Sequence, residues 1–194
     1  MYIDLTLSVD MDDPVIRSAK SDPKKPWMSQ GHIGTHLDVC PGQEPPPVEF
    51  CSRRGMLVDV LGIKTNEIGV EALRGRDIRE GDFIIFYTGH LLEFSYGSPE
   101  YYKEQPRMSW ELVDHLARSN LSLLGLDFPG LRPGDEHGRA DMRCAKYGKY
   151  IIENLNNVDQ LREAVGDNAF QVITGWTGFK GATGLSCRVT AVVD

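Results

Sequence analysis

The sequence predicts a mixed α/β (α+β) domain with a mixed sheet, and three observations predict it. Short apolar runs of strand length recur along the chain, two or three stretches carry a helical apolar period, and no linker, repeat or low-complexity tract divides residues 1–194. A chain of 194 residues buries a core of its own without metal or disulfide support, so it reads as one domain over 1–194.

Tyr2 to Leu7 alternates apolar and polar side chains and reads as a first strand. Residues 9–31 are acidic and lysine-rich with Pro14, Pro23 and Pro26, which predicts a long loop of the kind that covers a site. The next segment, His32-Ile33-Gly34-Thr35-His36-Leu37-Asp38, reads as extended and ends at Cys40-Pro41-Gly42-Gln43, followed by an extended Pro45-Pro46-Pro47 connection. Met56 to Ile63 reads as a buried strand and Ile68 to Leu73 as a short helix closed by Gly75. Asp82 to Thr88 is the clearest buried strand and ends at Gly89-His90.

Ser109 is an N-cap for a helix through Ser119, with Leu112, Val113, Leu116 and Ala117 on one face and His115 off it. Leu121 to Leu126 reads as a buried strand leading through Asp127-Phe128-Pro129-Gly130 into a polar loop to Arg139. Asp141 to Tyr150 fits neither period, Tyr150 to Glu153 is strand-like, and Asn157 caps a helix through Val165. Phe170 to Thr174 and Cys187 to Val193 are closing strands, joined by the glycine-rich stretch from Gly175 to Gly184.

Charge excludes several functions. The net charge is −7 and no Lys/Arg run exceeds two residues, so neither nucleic acid nor an anionic membrane is an expected partner; a small-molecule substrate is. No apolar stretch approaches membrane-spanning length and no basic-then-apolar leader opens the chain, which predicts a soluble cytoplasmic protein. Cys40, Cys51, Cys144 and Cys187 are scattered without C-x-x-C spacing, as reduced thiols are. Cys40, two residues past Asp38, reads as a small buried apolar residue, with soft ligand or nucleophile as the alternatives.

The stretch from His32 to Asp38 carries the chemistry. In an extended segment residues 32, 34, 36 and 38 share one face, whereas a helix would turn Asp38 away from both histidines. Imidazole and carboxylate are ligands of Zn²⁺, Mn²⁺ and Fe²⁺, and Gly34 leaves room on that face. The plainer reading makes these histidines ordinary strand residues. Glu153 closes an apolar strand, where an ionised carboxylate is costly unless paired or on a metal; an edge-strand surface position is the equal alternative. Asp141, His137, Asp127 and His90 are polar candidates in loops or at strand ends.

Together, His32 to Asp38, Leu124-Gly125-Leu126-Asp127-Phe128-Pro129, the segment from Tyr150 to Leu161 and Cys187-Arg188-Val189-Thr190-Ala191 resemble the cyclase family of metal-dependent hydrolases, which includes bacterial kynurenine formamidase and isatin hydrolase. The resemblance covers most of the chain in matching order. It implies a compact β/β/α fold, a dimer or tetramer, and one or two divalent ions, Zn²⁺ first and Mn²⁺ second. By position His32 and His36 would hold the first ion, while Asp38 and Glu153 would contact it and bridge to a second. The implied activity is hydrolysis of an amide, formamide or lactone bond, arylformamidase-like.

The departures from the family pattern also carry information. The histidine that transfers protons in the formamidases falls on Gly42 by count or on Gln43 by alignment at Pro41, and neither is a base. The second-metal histidine, twelve residues before Glu153, is Asp141 here, which favours a harder ion such as Mn²⁺ or Mg²⁺. Val15-Ile16-Arg17 stands where an aromatic substrate clamp is expected, and Trp27 is not counted as its replacement. Proton handling would then fall to Asp141, Glu153, His90 or His137, with Gln43 able to hold a water or a carbonyl. A family member that binds metal or a metabolite without turnover is the second expectation.

Overall fold

The computed structural model describes residues 1–24, 28, 30–61 and 67–193. Its strands are β1 (Tyr2–Asp4), β2 (His36–Asp38), β3 (Ser52–Asp59), β4 (Phe83–Tyr87), β5 (Leu123–Leu126), β6 (Tyr150–Glu153), β7 (Phe170–Trp176) and β8 (Gly184–Val192). Its helices are α1 (Pro14–Ser21), α2 (His90–Glu93), α3 (Pro99–Lys103), α4 (Trp110–Arg118), α5 (His137–Ala145) and α6 (Val158–Val165).

Seven strands run in the order β8-β2-β6-β5-β4-β3-β7, and β7 pairs back onto β8, closing a mixed barrel. Strands β3 to β6 are parallel neighbours and the other pairings are antiparallel. One edge of β8 is shared: Gly184–Ser186 pair with β2 and Thr190–Val192 with β1. Alternation splits the core in two. Leu57, Phe83, Ile85, Leu123 and Ile152 pack with Val172 and Val189 of the closing strands, whereas Val58, Ile84, Phe86, Leu124 and Ile151 pack under α4 and α5. Burial on both faces explains why these strands read as continuous apolar runs.

The helix from Ser109 forms as its sequence dictates. Ser109 Oγ accepts from the Leu112 N–H at 3.1 Å, Leu112, Val113, Leu116 and Ala117 are buried, and His115 is exposed. Elsewhere the structure corrects the expectation. The loop over 9–31 contains α1, because Asp13 caps the Val15 N–H at 2.7 Å, Pro14 takes the first helical position, and Ile16 and Ala19 bury. β3 begins at Ser52, ahead of Met56, and the expected end at Ile63 lies outside the described residues. The helix expected from Ile68 shrinks to a 3₁₀ turn at Val70–Leu73, since Ile68 is bridged to Met108. The polar loop to Arg139 and the segment after it give way to α5. No helix among the described residues is long and apolar enough to cross a membrane.

Candidate metal centre

The register of β2 against β6 sets His36 opposite Glu153, and Leu37 on the other face sits in the core shared with β7 and β8. His36, Asp38 and Glu153 therefore face the helix-covered side. His36 Nε2 lies 3.3 Å from Asp38 Oδ1 and 3.6 Å from Glu153 Oε2.

His32 reaches the same point by another route than the one its spacing predicts. The strand begins only at His36; residues 33–35 bend, and Gly34 adopts a left-handed φ of +61°. Period-two alternation thus does not apply before His36. Instead the Gly31 and Gly184 backbones approach so closely that a Cβ on Gly31 would lie 2.0 Å from the Gly184 carbonyl oxygen. His32 Nδ1 ends 3.1 Å from His36 Nε2 and 3.1 Å from Asp38 Oδ1.

Hydrogen bonds at the far side of each ring fix what faces the pocket. His36 Nδ1 donates to the Gly34 carbonyl at 2.9 Å, leaving a lone pair on Nε2 in the neutral ring. His32 Nε2 donates to Thr183 Oγ1 at 2.9 Å, and that hydroxyl donates to Gln30 Oε1 at 3.0 Å, leaving a lone pair on His32 Nδ1. Two lone pairs 3.1 Å apart and beside a carboxylate repel unless a proton or a metal cation lies between them.

Helix α5 supplies the opposite wall. His137 and Asp141 are one turn apart, on the buried stripe with Ala140 and Cys144. His137 Nε2 lies 3.1 Å from Asp141 Oδ2 and 3.6 Å from Glu153 Oε1. Gly130 makes this possible: at φ +93°, a Cβ there would sit 2.3 Å from His137 Cε1 and 2.8 Å from Glu153 Oε1. Ligand atoms of His32, His36 and Asp38 form one group within 4.8 Å, and those of Asp38, His137 and Asp141 a second.

The donor set fits divalent cations. Asp38 Oδ1 and Oδ2, Asp141 Oδ1 and Glu153 Oε1 are buried without a hydrogen-bond partner, and orphaned buried oxygens are costly. Burial pushes the Asp141 and Glu153 carboxyls well above their ordinary range, and the charge of Asp38 pushes them further. Burial also works against ionised Asp38, but imidazoles that carry a proton in the metal-free protein outweigh it and hold its carboxyl below the usual range, a proton that a bound cation would displace. Carboxylates crowded in this way are what a cation neutralises.

Of the remaining candidates, none joins the two groups. Gln43 Oε1 accepts from the Cys40 N–H at 3.1 Å and its Nε2 donates to the Lys149 carbonyl at 2.9 Å, so both polar ends are committed to backbone. His90 Nε2 donates to the Tyr101 carbonyl at 2.7 Å. Asp127 accepts from the Thr88 N–H, Thr88 Oγ1 and the Gly89 N–H, tying the end of β4 to β5. Cys40 is half-buried, and burial, then Asp141 and Asp38, push its thiol up to about 12, away from the thiolate that binds metal. Ile16 is buried in α1 and Val15 and Arg17 are exposed, while Trp27 lies outside the described residues. One site feature was missed: the pairing of His137 with Asp141, readable as i,i+4 spacing on a stripe with Ala140 and Cys144.

Comparison with known proteins gives consistent results. The Cyclase family model matches residues 3–132. No curated protein sequence matches the chain. Among solved structures, a potential metal-dependent hydrolase with cyclase activity superposes with a TM-score of 0.75 at 20% identity, covering 98% of this chain and 96% of that one. Isatin hydrolase A from Labrenzia aggregata, bound to benzyl benzoate, gives 0.72 at 21% identity, covering 100% and 93%. A predicted metal-dependent hydrolase from Bacillus stearothermophilus gives 0.69 at 19% identity, covering 98% and 97%. At these identities the likeness establishes the fold.

Proposed function

We propose, from the premise that this chain belongs to the cyclase family, that it is a metal-dependent hydrolase cleaving an amide (formamide or cyclic amide) or lactone bond of a small molecule. The observation that carries the reading is the convergence of two imidazole lone pairs on buried carboxylate oxygens that have no hydrogen-bond partner. His32, His36 and Asp38 would hold one ion, and Asp38, His137, Asp141 and Glu153 a second. Zn²⁺ suits the imidazole-rich group, and Mn²⁺ suits the carboxylate-rich one. A bound ion of this kind supplies Lewis acidity that acidifies water and polarises a carbonyl.

The chain's own groups then divide the work. Glu153 and Asp141 are the carboxylates placed to take a proton from water, and His137, a third exposed, stands between them toward solvent. An arylformamidase substrate of the N-formylkynurenine type follows the family resemblance. A homo-oligomer in the cytoplasm completes the reading.

A second reading has a specific observation behind it. With Gln43 tied to backbone, no base stands in the place of the formamidase histidine, as expected of a member that binds metal or a metabolite without turnover. Elemental mass spectrometry on protein purified without added metal or a histidine tag tests the shared premise. One or two equivalents of Zn or Mn are expected, lost in His32→Ala and His36→Ala; full occupancy in His36→Ala would sink both readings. Turnover of formamides, lactones or cyclic amides by the loaded protein then separates the first reading from the second.

A further inference from the structure

We propose that Thr183 is the positioning residue for the first ion: it clamps the ligand segment from His32 to Asp38 at both ends and aims His32 Nδ1 into the centre, a role that rests on the metal-centre reading above. His36 needs no such help. It lies on β2, its Nδ1 meets the Gly34 carbonyl at 2.9 Å, and its side chain is 3% exposed. His32 lies outside any strand, ahead of the left-handed bend at Gly34, and its side chain is 18% exposed. A ligand carried on a loop must be held from elsewhere.

The turn ahead of β8 supplies the hold. The Thr183 carbonyl accepts from the Val39 N–H at 2.8 Å, directly after Asp38, while Thr183 Oγ1 lies 2.9 Å from His32 Nε2. One residue thus touches both ends of the ligand segment, through its main chain at one end and its side chain at the other. Its neighbour reinforces the contact. The Gly184 N–H donates to the Gln30 carbonyl at 3.0 Å, and Gly184 pairs with Asp38 across β8 and β2. A Cβ on Gly184 would lie 2.8 Å from His32 Cδ2, so the imidazole rests directly against this turn.

Cation binding fixes the direction of the bonds. An imidazole that gives its Nδ1 lone pair to a cation keeps its proton on Nε2. That N–H needs an acceptor, and the Thr183 hydroxyl is the group within reach. The hydroxyl then places its own proton on Gln30 Oε1, 3.0 Å away. Every donor from His32 through Thr183 to Gln30 therefore has an acceptor when Nδ1 is engaged. Outer partners of this kind orient a ligand ring and raise its basicity, so losing one weakens the ion it serves.

The probe is Zn²⁺, titrated into the metal-free protein against a chromophoric chelator, and the equivalent to follow is the one that His32→Ala abolishes. Thr183→Val keeps the side chain's shape and the main-chain bonds and removes the acceptor; it is expected to weaken that equivalent about 10- to 100-fold. Thr183→Ser restores the hydroxyl and is expected to bind within about threefold of wild type. Gln30→Ala leaves the Thr183 hydroxyl to donate to solvent and is expected to cost less than about tenfold. The melting temperature of chelated Thr183→Val is expected to match that of chelated wild type, and the ion assigned to His137, Asp141 and Glu153 to keep its affinity. A Thr183→Val affinity within about threefold of wild type overturns the role. So does an equal loss in Thr183→Ser, which would assign the effect to packing, or a lowered chelated melting temperature with both ions weakened alike, which would make Thr183 a general support of the turn. In each of these outcomes wild type still binds Zn²⁺ and the metal-centre reading stands. Wild type that takes up no Zn²⁺ removes that reading, and the role of Thr183 with it.

Discussion

Burial keeps the His90 imidazole neutral: its Nε2 donates to the Tyr101 carbonyl at 2.7 Å, and the rings of Phe94 and Tyr101 pack on it at 5.1 and 4.8 Å. Desolvation lowers its pKa below the ordinary value of 6.5, only partly offset by that hydrogen bond and by Glu93. The folded state therefore binds fewer protons at His90 than the unfolded state. Stability from this group is intact above about pH 6.5 and is lost as pH falls below that value toward the folded pKa. Thermal melts from pH 7.5 down to 5 are expected to show a shallower acid limb in His90→Gln, which retains a donor and cannot titrate; parallel limbs would assign the loss to other groups. His90 also shows where reading a sequence stops. Its place after a buried strand marked it as a site candidate, yet the partner that consumes it, a carbonyl eleven residues on, has no signature in residue type. His32, His36 and Asp38 were legible for the opposite reason, since their types already specify a ligand set. The geometry that unites them was not, because it depends on the left-handed turn at Gly34 and on the contact between Gly31 and Gly184.

Helix α5 turns two isolated polar residues into half of the centre. It packs Ala140 and Cys144 under the sheet, and the same stripe carries His137 and Asp141 to Glu153. Gly130 leaves room for that approach. Gly130→Ala would place a methyl 2.3 Å from the His137 ring and would also strain a backbone at φ +93°. Destabilisation of at least about 1–3 kcal/mol is expected from the strained backbone alone, together with loss of the metal equivalent assigned to His137, Asp141 and Glu153. Calorimetric melting and metal analysis check the two parts separately, and retention of both equivalents would show that the His137 ring can move without cost. The helix escaped the sequence reading because Pro133, Gly134 and Gly138 break its pattern, and its apolar stripe is only two residues wide. α1 escaped because three prolines outweighed the Asp13-Pro14 start. β4, β5 and the stretch of β3 from Met56 were legible, since burial on both faces leaves almost nothing but apolar side chains to read there, whereas the exposed or half-buried Ser52, Arg53 and Arg54 hid the start of β3.

Closure of the barrel through β7 and β8, and the pairing of β1 with β8 across nearly the full chain, could not be read from residue types, because an apolar strand does not name its partner. Closure nonetheless decides the energetics of the centre. It holds β2 between β6 and β8, so Asp38 and Glu153 cannot separate to relieve their repulsion, and the apo protein must keep Asp38, Asp141 and Glu153 together in the interior. Metal binding then acts as a stabiliser of the folded state. At free metal a thousandfold above Kd the gain is about 4 kcal/mol, which for a chain of this size corresponds to about 8–16 °C in melting temperature. Chelation is expected to lower the melting temperature by that order. Glu153→Gln separates this from a general effect of mutation, because it removes one buried ionisable carboxyl, and the cost of keeping it beside Asp38 and Asp141, at nearly constant shape. The chelated variant is expected to melt above chelated wild type, while added metal raises its melting temperature far less. A chelated variant that instead melts below chelated wild type would mean that protein groups already compensate the Glu153 charge, and its orphaned Oε1 would then not be the mark of a cation site.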